Sequence, residues 1–115
     1  MRRGRDRGAA TILALSIIGA LLSLTAGGLI VGSVVLASHR ARLAADLGAL
    51  AGAAAVQDGS SASAACAVAE KVAHANGAGT QACSLHDADL EIRVAVAASL
   101  WPAPATARSR AGPER

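Results

Sequence analysis

The sequence predicts an α+β protein: a long N-terminal transmembrane helix, a second short helix and a small β-hairpin, then a disordered C-terminal tail. Three observations predict it. The 30 residues from Ala9 to Ser38 contain no charged side chain. Beyond them the apolar residues recur first at helical and then at alternating spacing. The last residues are polar and flanked by proline. In chain order this gives a basic leader (1–8), a membrane helix (9–38), its extension outside the membrane (39–57), a cap of helix plus hairpin (58–100) and a tail (101–115).

Composition limits what can lie inside. Of the 115 residues 53% are hydrophobic, yet there is one tryptophan and no phenylalanine or tyrosine. The apolar content is mostly alanine, valine and leucine; alanine favours helix but buries little area, which excludes an aromatic-filled core. The formal charge is +3, and its distribution argues against a nucleic-acid partner. Arg2, Arg3, Arg5 and Arg7 crowd the start, Arg108, Arg110 and Arg115 crowd the end, and Arg40 and Arg42 follow the apolar run. Between Leu43 and Leu100 there are two cations, Lys71 and Arg93, against six anions. No basic face with interleaved aromatics results.

The charge-free run exceeds the roughly 20 apolar residues that cross a bilayer as a helix. A soluble core helix would be shorter and charged on one face. A secretory signal would have an apolar region of only about 7–15 residues, although a cut near Ser38 would release the rest. With four arginines before the run and two after it, the N-terminus is expected in the cytoplasm and the C-terminal part outside.

Helical signals continue from Arg40 to Val56, where Leu43, Leu47, Leu50 and Ala54 form an apolar stripe. Gly28 and Gly32, and again Gly48 and Gly52, are small-residue pairs one turn apart, a spacing that lets two helices approach closely. Gln57-Asp58-Gly59-Ser60-Ser61 reads as a turn. Ser61 or Ser63 then caps a helix running to about Ala75, with Ala65, Val68, Ala69 and Val72 as its buried face. Asn76-Gly77 ends it. Ala82 to His86 and Leu90 to Ala98 alternate as the two strands of a hairpin around Asp87-Ala88-Asp89; Trp101 is read as covering the hairpin edge, the alternative being an anchor at a membrane surface.

Cys66 and Cys83 fall on the second helix and the first strand. Outside the cell a disulfide between them is the economical reading, closing a loop of about 16 residues for roughly 3 kcal/mol; the alternative is two buried thiols. His74 and His86 lie nearby, but the order Cys66, His74, Cys83, His86 matches no tight metal-ligand spacing. No nucleophile elbow, phosphate loop or nucleotide-binding turn is present. Asp87 and Asp89 are explained by the turn. The expectation is a protein that is no enzyme, with no cofactor, no metal and no small-molecule substrate.

The leader carries a more specific signal. Arg7-Gly8-Ala9-Ala10-Thr11-Ile12 joins a short charged segment directly to an apolar helix, and it resembles the leader of type IV pilin-like proteins. The resemblance implies cleavage by prepilin peptidase between Gly8 and Ala9. More closely, Asp6 to Ile12, with Ala41-Arg42-Leu43-Ala44-Ala45-Asp46-Leu47-Gly48-Ala49-Leu50-Ala51 and the two cysteines, is similar to TadE/TadG-like proteins of tight-adherence (Flp) pilus systems. The short actinobacterial TadE-like group encoded beside a secretion ATPase is the nearest in kind, and the likeness covers about two thirds of the chain. It implies a minor pilin-like or assembly component whose partners are the membrane and other pilin-like subunits or secretion-system membrane proteins. Leu13 departs from most pilins, which carry there a glutamate that helps subunits enter the filament. TadG-like relatives also lack it. The reading from another class is a signal-anchored or secreted small protein acting outside the cell, unrelated to a filament.

Overall fold

The computed structural model describes residues 3–114. Five elements follow one another: α1 (Arg3–Gln57), α2 (Ala62–Ala75), β1 (Gly79–His86), β2 (Asp89–Val96) and β3 (Ala105–Ala111). The chain divides into two compact units, one up to Gly32 and one from Ser33 onward.

The first unit is the N-terminal part of α1, which is long and apolar enough to cross a membrane. Its helix starts at Arg3, so the basic leader is helical where it is described, and the helix does not wait for Ala9. Met1, Arg2 and Arg115 lie outside the described residues. Along the apolar run the hydroxyls turn back on their own helix. Thr11 donates to the Arg7 carbonyl at 2.9 Å, Ser16 to Ile12 at 2.8 Å, Ser23 to Gly19 at 2.9 Å and Thr25 to Leu21 at 2.9 Å. Each hydroxyl is thus satisfied without water, as an apolar surrounding requires.

The second unit is built on the rest of α1. Ala37 is already buried in its core, so the core of the head begins within the charge-free run. From Ala9 to Gly32 the apolar segment still rises about 36 Å, enough for a hydrocarbon layer of about 30 Å. The core then sits between small-residue faces of two helices and one strand. Ala41, Ala44, Ala45, Ala49 and Ala53 of α1, Ala65, Ala69 and Ala73 of α2, and Leu90, Ile92, Val94 and Val96 of β2 are buried. This leaves the apolar stripe of α1 outside the core and corrects the expected buried face of α2. The stripe of Leu43, Leu47, Leu50 and Ala54 is exposed, because the head packs on the alanine and glycine side of the helix. On α2 the buried face turns toward Ala73, leaving Val68 40% exposed, because helices in close approach select alanine over valine.

Both helices end in the same way. Gly59 (φ 94°) and Gly77 (φ 82°) adopt the left-handed conformation. After α1, the Gly59 N–H donates to Val56 at 3.0 Å and that of Ser60 to Ala55 at 2.9 Å. After α2, the Gly77 N–H donates to His74 and that of Ala78 to Ala73, each at 3.0 Å. These are paired C-terminal caps that only glycine adopts without strain. Ser61 caps the start of α2, its side chain accepting from the Ala64 N–H.

The sheet is antiparallel in the order β1-β2-β3. The hairpin forms as the alternation predicts, although β1 begins three residues earlier and contains a bulge between Thr80 and Ala82. The third strand overturns the disordered tail. β3 pairs with β2 from Leu90↔Ala111 to Val96↔Ala105, with Ala105, Ala107 and Ala111 against the core. Its inward residues are too small to give a hydrophobic signal, and its arginines make it read as a solvated tail. Those arginines are matched on the outer face: Arg110 reaches Asp89 at 2.9 Å and Arg108 reaches Glu91 at 3.8 Å. β3 also occupies the hairpin edge assigned to Trp101, which stands 51% exposed in the β2–β3 connection.

Candidate functional site

Four groups of residues were singled out from the sequence, and the fold treats them differently. Gly8 and Ala9 lie within α1, exposed, with nothing near enough to touch a side chain added at Gly8. The Thr11 hydroxyl bond to Arg7 spans this junction, so a cut between Gly8 and Ala9 requires the first turns of the helix to open.

Gly28 and Gly32 are likewise bare: no atom of the chain lies within 4 Å of where their side chains would project. Gly48 and Gly52 are covered, and by the chain itself. A Cβ on Gly48 would stand 3.0 Å from the Ala69 carbonyl oxygen and 3.3 Å from Ile92 Cδ1. One on Gly52 would stand 2.7 Å from Leu90 Cδ1 and 3.2 Å from the Ala65 carbonyl oxygen. The two glycines are therefore helix-packing residues within the head and not toward a neighbouring subunit. Four helical residues rise about 6 Å and two strand residues about 6.6 Å. One pair of glycines can thus receive both Ile92 and Leu90, and the same four-residue step matches Ala69 and Ala65 of α2.

Cys66 and Cys83 form a disulfide with Cα atoms 5.9 Å apart, tying α2 to β1. Bonded to each other, they are not thiolate ligands. His86 faces outward beside Ser84, its Nε2 3.2 Å from the Ser84 Oγ, while His74 lies on α2 beside Glu70 and Lys71 along an open groove that ends at Thr80. Among the described residues no three His, Cys, Asp or Glu side chains gather as a metal ion would require. The residues that sequence reasoning missed are the alanine face of α1 and the outward arginines of β3. The alternation Ala105-Thr106-Ala107-Arg108-Ser109-Arg110-Ala111 was the available signal for the latter.

Comparison of the chain with protein-family models, with curated proteins and with solved structures finds no match.

Proposed function

We propose that the chain is a minor pilin-like or assembly component of a tight-adherence (Flp/Tad) type pilus or a related secretion system. One observation carries this reading: the first unit is a single apolar helix with open space around Gly19, Gly27, Gly28 and Gly32, and the second unit is a small head closed by the Cys66–Cys83 bond. Such a helix offers surface to lipid and to neighbouring helices, as a laterally assembling subunit needs, while the head supplies a contact surface. The leader's similarity to prepilin-type junctions at Gly8 and Ala9 adds the specific machine. The reading gives the protein no catalytic role.

The orientation belongs to the same proposal. The arginine-rich leader stays in the cytoplasm and the head lies outside, where the Cys66–Cys83 bond persists, since such bonds are rare in reducing compartments. Leu13 in place of a carboxylate favours an accessory place in the assembly over a major filament subunit.

The test is the mature N-terminus, read by mass spectrometry on protein from membrane and extracellular fractions. A start at Ala9 is expected. A start at Met1 in the membrane would reduce the protein to an anchored accessory, and a start near His39 outside the cell would replace the pilus reading with that of a secreted protein.

A further inference from the structure

The exposed side of α1 carries a regularity that the head does not use. Leucine recurs at every seventh position six times in succession: Leu15, Leu22, Leu29, Leu36, Leu43 and Leu50. All six are exposed, between 52% and 65%. The first three belong to the unit up to Gly32 and the last three to the unit from Ser33. The interval in sequence is unbroken between them.

We infer that this repeat is the seam of a parallel two-helix association between two copies of the chain. With the leucines at position d of a heptad, position a holds Gly19, Ala26 and Ser33 in the apolar run and Leu47 and Ala54 beyond it. Leucine at d suits two parallel strands, and small residues at a let membrane helices approach closely. An unsupercoiled helix drifts about 20° per heptad against a strict seven-residue repeat. Lipid alone imposes no such period, whereas a supercoiled partner does. That partner is a second copy: a chain anchored by the same span enters in the same direction and at the same depth, placing each leucine opposite its own counterpart. Outside the apolar run, Leu43, Leu47 and Leu50 would otherwise face water.

The head sits beside the seam. In this register it covers Ala41 and Gly48 at b and Ala45 and Gly52 at f, on the outward side of a two-stranded coil, and also Ala37 and Ala44 at e, Ala49 at c and Ala53 at g. Leu36, Leu43 and Leu50 at d and Leu47 at a stay exposed. Arg40 is the one charged a position, at the end of the charge-free run, where its long stem can carry the charge to the surface. A single charged a residue costs stability and fixes register. The inference is independent of which machine the chain serves.

The test uses the full-length oxidised chain in phospholipid vesicles, with single cysteines introduced and oxidation catalysed by copper phenanthroline. Leu36→Cys, Leu43→Cys and Leu50→Cys should give covalent dimers, and Val35→Cys and Arg42→Cys, exposed at position c, at least tenfold less. Equal yields at both sets, no dimer at any position, or dimer appearing only when a cell-membrane extract is added would overturn the inference. A second readout is sedimentation in micelles of the double variant Leu43→Glu, Leu50→Glu. Dimerisation at least tenfold weaker, with an unchanged melting temperature of the head, is expected; an unchanged dimer fraction would sink the proposal.

Discussion

At Gly48 and Gly52 the absence of a side chain is what allows α1, α2 and β2 to meet. Alanine is better than glycine in a helix by about 1 kcal/mol, yet a Cβ at Gly52 would meet Leu90 and the Ala65 carbonyl oxygen, and overpacking costs about 1–3 kcal/mol. Gly52→Leu should therefore abolish cooperative melting of the head followed by circular dichroism, while Gly28→Leu, with open space around it, should leave that transition in place. Asp87 is a second sensitive residue. It holds φ 57° in the two-residue turn between β1 and β2, a conformation aspartate tolerates better than a β-branched residue. Asp87→Val should lower stability by about 1–2 kcal/mol in chemical denaturation. Residues of this kind were only partly legible. Gly77 after Asn76 announced a helix end in the sequence itself, because glycine there has a conformational reason. Gly48 and Gly52 announced close packing but not its partner, since nothing local to α1 states that the neighbour is Leu90, some forty residues on.

Among the elements, α2 and the hairpin were readable because capping serines, glycines and the Leu90-Ile92-Val94-Val96 alternation encode them locally. β3 was not. Its inward side chains are Ala105, Ala107, Ser109 and Ala111, which bury little area, and its reason for being a strand is the open edge of β2. The amides of β3 that bond to β2 should accordingly be protected in hydrogen exchange on the timescale of β2 itself. A solvated tail would exchange at once. Ala107→Asp, which buries a carboxylate against the core, should cost about 1–3 kcal/mol. Removing the exposed guanidinium with Arg108→Ala should cost under about 1 kcal/mol. That contrast in denaturation midpoints would show which face of β3 is inward.

For the whole molecule, stability is concentrated where large side chains are few. Leu90, Ile92 and Val94 are the largest side chains wholly buried, and alanine supplies most of the remaining core, so the Cys66–Cys83 bond carries a sizeable share of the head's stability. Reduction, or the double change Cys66→Ser, Cys83→Ser, should lower the unfolding free energy of the head by about 3 kcal/mol, with melting as the readout. The lone Trp101 has a different consequence. It is the chain's only aromatic residue of the Phe, Trp and Tyr set, and it lies in the connection between β2 and β3, outside the buried cluster. Ultraviolet emission from this protein therefore comes from one lamp mounted on the surface. It is nearly blind to the loosening of the alanine interior, yet an indole half in solvent shifts toward the blue when it settles at a lipid headgroup layer. The same side chain that makes fluorescence a poor thermometer for the head would report any approach of the head to a lipid surface.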